Sequence, residues 1–419
     1  MLDLLLFALL GVAAGIVTGV TPGLHVNAVS LLLLALPLAP LAAAVLIIAI
    51  AITHTFWDFV PSILLGAPSE DTALGVLPGH RLLLEGRGAE AITLTIAGGI
   101  AAALLSAAAL PALLLGLPVL YAALRPFIGF ILLAIAGFMV AIEPTWRRRL
   151  AGLAVLGLSG LLGLVTLDSA LLAGDAVLFP LFTGLFGAST LLLSLREQSR
   201  IPAQRSGTAQ LERGLVLRGS VKGLLSGCLM GTLPALGASQ AAVLTQHLSR
   251  KGFRRRSQPP SDGTGRGSGS REQPPEEFLV SIGAINTVVS LFSLIALYTI
   301  AKPRSGAAVA VGQVLGPVGF PELVLLVAVS LFAAGLSALA LLAALPRLIA
   351  GFQAVPYAAL TKGILVLLVF LVIALTGPLG LAVLATAVAI GVLAPLWKVK
   401  RSLLMGVLMV PLILFYSSL

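Results

Sequence analysis

Two short stretches of a largely apolar chain carry adjacent charges, and each suits a particular chemistry. In GAPSEDTALGVLPGH, residues 66 to 80, Ser69, Glu70 and Asp71 stand side by side after a long apolar run. Neighbouring carboxylates can hold a cation, and an ionisable group at membrane depth is costly enough that it is paired, faces water or works. In AKPRSGAA, residues 301 to 308, Lys302 and Arg304 flank Pro303 and are followed by Ser305. Cationic side chains beside the free N–H groups of a helix start would receive an anion. A structural ion pair between Glu70 or Asp71 and Lys302 or Arg304 is the other use of the same charges. His54 and Asp58, four residues apart, share one helix face and can relay a proton or pair with each other. His25 and Asn27 follow Pro22-Gly23, and Ser239 and Gln240 follow Gly237. Small polar side chains there can coordinate a substrate or sodium, or cap a helix.

The elements that must hold these groups are set by composition. Of 419 residues, 58% are hydrophobic and 10% charged, with a mean hydropathy of +1.10, more apolar than a water-soluble core requires. An all-α polytopic membrane protein is expected, because many apolar runs reach the roughly 20 residues of a helical span. Blocks such as LVLLVFLVIAL, residues 365 to 375, lack the alternation of a membrane strand. The formal charge of +10 does not indicate nucleic acid: thirteen of the 26 Lys and Arg residues lie between Arg196 and Arg271, with no recognition motif beside them. The positive-inside rule makes those segments cytoplasmic loops of a protein in the cell membrane, in contact with lipid. The single Cys228 excludes an intrachain disulfide and a multi-cysteine metal cluster. No phosphate loop ending in Gly-Lys-Ser/Thr and no soluble catalytic domain is present, so neither an enzyme nor an ATP-driven pump is expected, and no cofactor beyond a coupling Na+ or H+. Asp3, in MLDLLLFALL, occupies a position where a signal peptide carries basic residues, so this stretch is expected to remain in the mature chain.

The chain repeats itself. Gly11, Gly15, Gly19 and Pro22 match Gly223, Gly227, Gly231 and Pro234 at a constant offset of 212. Small residues every fourth position often mean only close helix packing, so the shared proline carries more weight. GAPSEDTA (66–73) resembles AKPRSGAA (301–308), Pro68 facing Pro303, once the basic insertion at 250–275 is allowed for. Asn286 is aligned with His54, as a polar packing contact, and His80 with Arg81 is assigned to the interface. The basic connection follows the second segment in one copy (GHRLLLEGRG) and the first in the other (SRKGFRRR). Equivalent loops therefore lie on opposite faces, as an inverted-topology repeat requires.

Basic residues also bracket the second glycine segment, Arg218 and Lys222 before it and Arg250, Lys251 and Arg254 after it. A re-entrant hairpin returns both ends to one face; a single kinked span is the alternative. Re-entrant or broken-helix hairpins are expected at 1–37, 61–79, 220–249 and 301–318. Crossings are expected at 42–60, 89–117, 120–142, 150–167, 176–195, 278–300, 322–345, 358–376, 381–397 and 402–418. The division is a first repeat with additional helices (1–195), a basic cytoplasmic linker (196–222) and a second repeat (223–419) interrupted by a disordered loop at 250–275. Arg147–Arg149, Arg347 and Lys398–Arg401 then fall inside, and Asp168 and Asp175 outside. Pro144-x-Trp146 resembles Pro395-x-Trp397, but two such segments facing one side do not fit an inverted pair, and the likeness is read as coincidence.

Gly15, Gly19, Pro22 and Gly23, the stretch GAPSEDTALGVLPGHRLLLEGRGAEA and the segment GTLPALGAS together resemble the large permease subunit of the tripartite tricarboxylate transporters over most of the chain. The resemblance implies an ion-gradient-driven importer of carboxylates that works with a small four-helix membrane subunit and an extracytoplasmic binding protein. It marks Pro22, Gly23, Pro68, Ser69, Thr72, Ala73, Pro234, Gly237 and Ala238 as motif positions. The chain is shorter than such permeases, carries Glu70-Asp71 where many have small residues, and has Lys302-Pro303-Arg304 where a Pro-Gly step is usual.

The expected function is secondary active transport of a small organic anion, a di- or tricarboxylate, by alternating access. Substrate contacts are expected from Pro22, Gly23, His25, Asn27, Pro68, Ser69, Thr72, Gly237, Ser239, Gln240, Lys302, Arg304 and Ser305. Ion coupling is expected from Glu70, Asp71, Asp58 and His54. The alternative is a translocase for a lipid-linked anionic headgroup such as a polyprenyl phosphate. An oligomer is compatible with either.

Overall fold

The computed structural model describes residues 2–21, 26–34, 36–65, 72, 76–167, 177–195, 202–204, 211–233, 275–354 and 357–417. Among these there is no strand, and eight helices are long and apolar enough to cross a membrane. In chain order the helices begin with α1 (Leu2–Val20), α2 (Val26–Leu33), α3 (Pro40–Trp57), α4 (Phe59–Leu65), α5 (Val76–Leu84) and α6 (Gly88–Ala108). A peripheral group follows: α7 (Leu110–Leu124), α8 (Ile128–Ala141), α9 (Trp146–Leu167), then α10 (Leu178–Phe182), which passes through a π turn at Thr183–Ala188 into α11 (Ser189–Ser194). The rest are α12 (Arg213–Thr232), α13 (Pro275–Ile300), α14 (Gly306–Leu315), α15 (Phe320–Ala354), α16 (Tyr357–Leu396) and α17 (Gly406–Ser417).

Glycines set the centre of the molecule. A methyl group built on Gly11, Gly15 or Gly19 of α1 would strike Ala49, Thr53 or Trp57 of α3, and one on Gly223, Gly227 or Gly231 of α12 would strike Ala284, Val288 or Phe292 of α13. Without a side chain at these positions the backbones approach closely, the membrane counterpart of burying a hydrophobic stripe. Both series rise together, so α1 runs parallel to α3 and α12 parallel to α13. The partners correspond at one offset: Ala49 to Ala284, Thr53 to Val288 and Trp57 to Phe292 are each 235 positions apart. Pro68 and Pro303 share that offset, so the weaker sequence likeness and the helix packing have the same register. By it His54 corresponds to Val289 and Asp58 to Ser293, which corrects the alignment of Asn286 with His54.

Parallel neighbours joined in sequence require a return between them. After α1 the chain comes back through α2 and the short segment 36–39 to Pro40, level with the start of α1, so 1–37 is a hairpin. Thr232 and Pro275 likewise lie at opposite ends of the α12–α13 pair; the tip beyond Leu233, residues 234–239, falls outside the described residues.

Helices α6 and α13 also run parallel. Gly98 meets Val280, Gly99 meets Thr287, and Gly283 lies against the Thr95 carbonyl. Their starts are tied by charge: the Arg87 Nη2 group donates to Glu90 and, at 3.0 Å, to Glu276. Glu90, hydrogen bonded to its guanidinium, holds Arg87 still more firmly protonated than usual. Lys222 and Arg218 pair with Glu277 in the same layer, and Glu276 and Glu277 in the first turn of α13 complement its dipole. Helix α3 runs the opposite way. Its last residues meet Asn286 and Thr287 early in α13, while α14, which lies alongside Leu297 late in α13, packs along α3 as well. Equivalent helices of the two copies thus point in opposite directions, as an inverted repeat demands.

Single cysteines at Glu85 and Glu276, in a Cys228→Ser background, should react with an impermeant maleimide from one side of the membrane, and one at Pro317 from the other. Opposite labelling of positions 85 and 276 contradicts this topology.

Several expected boundaries move. The first break after the core falls at Ala109 instead of 117–120, because Pro111 sits in the first turn of α7, where its missing N–H costs nothing, and Pro118 is carried inside that helix. The 322–345 crossing extends to Ala354 around Pro346. The expected pair 358–376 and 381–397 is present as a hairpin of α16 at Gly377, whose φ of 66° is open to glycine: Val372 packs with Leu384 and Leu368 with Val388. The periphery offers lipid large apolar side chains, including Leu115, Phe130 and Val366.

Candidate functional site

The buried polar groups of the core gather where α3, α13 and the broken elements meet. Asp58 closes α3, its N–H donating to the His54 carbonyl at 3.0 Å. The Asn286 amide donates to Asp58 Oδ2 at 3.1 Å and approaches the Thr55 carbonyl at 3.4 Å. Asp58 and Asn286 are both buried, so the bond joins the two copies inside the protein. His54 Nδ1 is 3.1 Å from Thr18 Oγ1, and that hydroxyl donates to the Gly15 carbonyl. The Thr18 oxygen therefore accepts, so a neutral His54 directs a protonated Nδ1 toward it.

Thr72, which follows the SED stretch in sequence, is docked beside this cluster. Ser62, one turn after Asp58, donates to the Asp58 carbonyl at 2.8 Å and shares a 2.5 Å hydroxyl contact with fully buried Thr72. Thr72 is the one described residue of GAPSEDTA beyond Leu65. Pro68, Ser69, Glu70 and Asp71 fall outside the described residues, as do Pro22, Gly23, His25, Gly237, Ser239 and Gln240 and the side chain of Asn27. The ion pair considered between the SED carboxylates and the 302–304 cations therefore lies outside them as well.

The second-copy loop is described in full. Ala301 adopts φ 51° and turns the chain back along α13. The Arg304 N–H donates to Ser293 Oγ at 2.7 Å, Ser305 Oγ is 3.0 Å from the same oxygen, and Ser305 caps α14 by accepting from the Ala308 N–H. The Arg304 guanidinium donates to the Thr232 carbonyl at the end of α12 and lies 5.5 Å from the centroid of the Tyr121 ring. Its Nε–H is buried with no partner among the described residues. Lys302, by contrast, is exposed, so Arg304 and Ser305 are the members of that motif that turn toward the core.

Asn286, Ser290 and Ser293 fall at i, i+4 and i+7 and so share one face of α13. Asp58 is bound at one end of this stripe and Arg304 at the other, about 10 Å away along the axis at 1.5 Å per residue. Because Ser293 is the counterpart of Asp58, the two copies put a carboxylate and a hydroxyl that accepts the Arg304 backbone N–H at equivalent positions of the repeat. Such an arrangement can hold an anion at the arginine end and a cation or proton at the carboxylate end, with hydroxyls between.

Sequence reasoning missed Thr18, Thr55, Ser62, Ser290, Ser293, Thr287 and Tyr121. A lone hydroxyl in an apolar helix has no signature, although the charge of Asp58 was a reason to ask what faces it. Tyr416 adds a second phenol near Tyr121, Arg304 and Arg125 at the arginine end.

Comparison with known proteins bears on what such a framework is for. No solved structure matches the chain. An uncharacterized protein, MJ1079, of Methanocaldococcus jannaschii is 30% identical over 314 residues, 73% of this chain and 72% of that one. Residues 5–406 match the tripartite tricarboxylate transporter TctA family, nearly the whole length and all of the core just described, and the chain belongs to that family.

Proposed function

We propose that this member of a transporter family carries a small organic anion, a di- or tricarboxylate, across the cell membrane by ion-coupled alternating access. The observation that supports the reading best is the α13 stripe, which joins Asp58 of one inverted copy to Arg304 of the other. The anion occupies the end formed by Arg304, Ser290, Ser293 and the capped start of α14, where guanidinium and hydroxyl donors replace its hydration. Asp58 and His54, with Glu70 and Asp71 close in sequence to Thr72, take the coupling Na+ or H+. Rocking of one copy against the other then exposes this centre to each side in turn, with the Arg87 layer on the cytoplasmic face. A small four-helix subunit and an extracytoplasmic binding protein deliver the substrate.

Uptake of labelled carboxylates into proteoliposomes, with the partner subunits present, tests this. Accumulation should follow an imposed sodium or proton gradient and vanish with an ionophore. Asp58→Asn keeps the shape and the contact with Asn286 but removes the charge. The effect of the driving cation on anion affinity, on the order of 5- to 150-fold for coupled sites, should then fall to about one. An unchanged ion profile in that variant would take Asp58 out of coupling.

A second reading, translocation of a lipid-linked anionic headgroup, draws on Tyr121. This ring stacks with Arg304 from α7, whose Leu115 and Val119 are open to lipid, so a tail could lie along that helix. Gradient-independent movement of a polyprenyl phosphate, with no carboxylate uptake, would favour it.

A further inference from the structure

Away from the central stripe, a groove of about 410 Å³ opens between the start of α9 and the end of α16, lined by Arg147, Arg148, Leu150, Ala151, Ala154 and Trp397. We propose that it is a binding site for an anionic glycerophospholipid, the phosphate between Arg147 and Arg148 and an acyl chain along Leu150, Ala154 and the Trp397 ring.

Three observations argue for a lipid of that charge. First, the two arginines lack internal compensation. Neither forms an ion pair among the described residues, and α9 has no acidic residue in its first turn. They also stand at the positive end of a helix dipole, where cations are disfavoured and an anion is welcome. Arg149, by contrast, is turned aside to donate to the Glu143 carbonyl at 3.0 Å. Second, the rest of the wall is apolar and open: Leu150 is 50% and Trp397 41% exposed. A free phosphate or an acidic peptide would leave that surface in water, whereas a phospholipid covers charge and apolar wall together. Third, the groove lies where two apolar helical segments, Trp146–Leu167 and the second arm of α16 ending at Leu396, have their ends. That is headgroup depth, where tryptophan and basic residues anchor a protein. The likeness of Pro144-x-Trp146 to Pro395-x-Trp397 thus has a spatial outcome: the two segments flank one groove at one face.

Tryptophan fluorescence tests the site directly. The chain has three tryptophans; Trp57 is buried and out of reach of lipid bromines, so in a Trp146→Phe background the accessible signal is that of Trp397. In phosphatidylcholine bilayers containing brominated phosphatidylglycerol, Trp397 should be quenched with an apparent affinity roughly 30-fold above that for brominated phosphatidylcholine, the order expected of two surface arginines. Arg147→Gln with Arg148→Gln should abolish the preference while quenching by brominated phosphatidylcholine stays unchanged, which shows that the variant is folded and inserted. Equal quenching by both lipids before substitution, or a preference that survives it, overturns the assignment. So does protection of Trp397 from both lipids when a partner subunit is added, since the groove would then be a protein interface.

Discussion

Replacing Arg304 by alanine is expected to abolish anion binding and uptake while the helical framework survives. The guanidinium is half-buried, donates to the Thr232 carbonyl and has no carboxylate neighbour among the described residues. Leaving a buried anion without its cation costs about 2–5 kcal/mol, on the order of 30- to 5,000-fold in affinity. The backbone contacts that hold the loop, from the Arg304 N–H to Ser293 and from the Ala308 N–H to Ser305, do not involve the side chain, so the start of α14 should stay in place. Arg304→Lys keeps the charge but loses the planar fork and the stacking on Tyr121, and should recover part of the affinity. Unchanged transport kinetics in Arg304→Ala, at normal thermal stability, would reduce the residue to a structural tie between α12 and α13.

The largest effect on folding is expected at the crossing of α6 and α13. A methyl group on Gly98 would fall on the Val280 carbonyl, and one on Gly283 on the Thr95 carbonyl, so the two backbones touch reciprocally and neither can yield as a side chain would. Overpacking a core costs about 1–3 kcal/mol where side chains can adjust, and here the helices themselves must part. Gly98→Val should therefore yield no monodisperse protein. Gly137→Ala in α8, where nothing lies within 4 Å, should raise stability by about 0.5–1 kcal/mol, since alanine is the better helix former. Thermal unfolding in detergent compares the two. A Gly98→Val variant as stable as the parent would mean that α6 and α13 are not in contact.

How much of this was legible beforehand depended on the kind of signal. Glycines at fourfold spacing were readable because packing of two helix backbones admits few other residues, and the register they implied is the one by which α1 meets α3 and α12 meets α13. The likeness of Pro68 to Pro303, faint as letters, shares the 235-residue offset of the packed helices. Misplacing Asn286 opposite His54 had a definite cause: the insertion between glycine segment and core helix is longer in the second copy, and one polar residue in an apolar helix does not fix its own register. The contact between Asn286 and Asp58 was invisible for the same reason. It arises between copies, and a repeat alignment compares them without saying how they touch. Prolines misled in a different way. The expected boundaries at 117–120 and 345 fall at Pro118 and Pro346, yet both prolines sit inside helices, because a peripheral membrane helix can absorb a proline that neighbours or local distortion satisfy. The outward turn of Lys302 and the inward turn of Arg304 could not be read from a motif in which both are simply basic.

The central claim is that one face of α13 couples a carboxylate of one inverted copy to an arginine of the other. The most direct measurement is the equilibrium affinity of the purified, reconstituted chain for labelled citrate and succinate across a series of sodium concentrations and pH values. The claim predicts anion affinity that rises with the coupling cation, a dependence lost in Asp58→Asn with anion binding retained, and no anion binding in Arg304→Ala. Anion affinity indifferent to sodium and to pH, and the same in all three proteins, would contradict it.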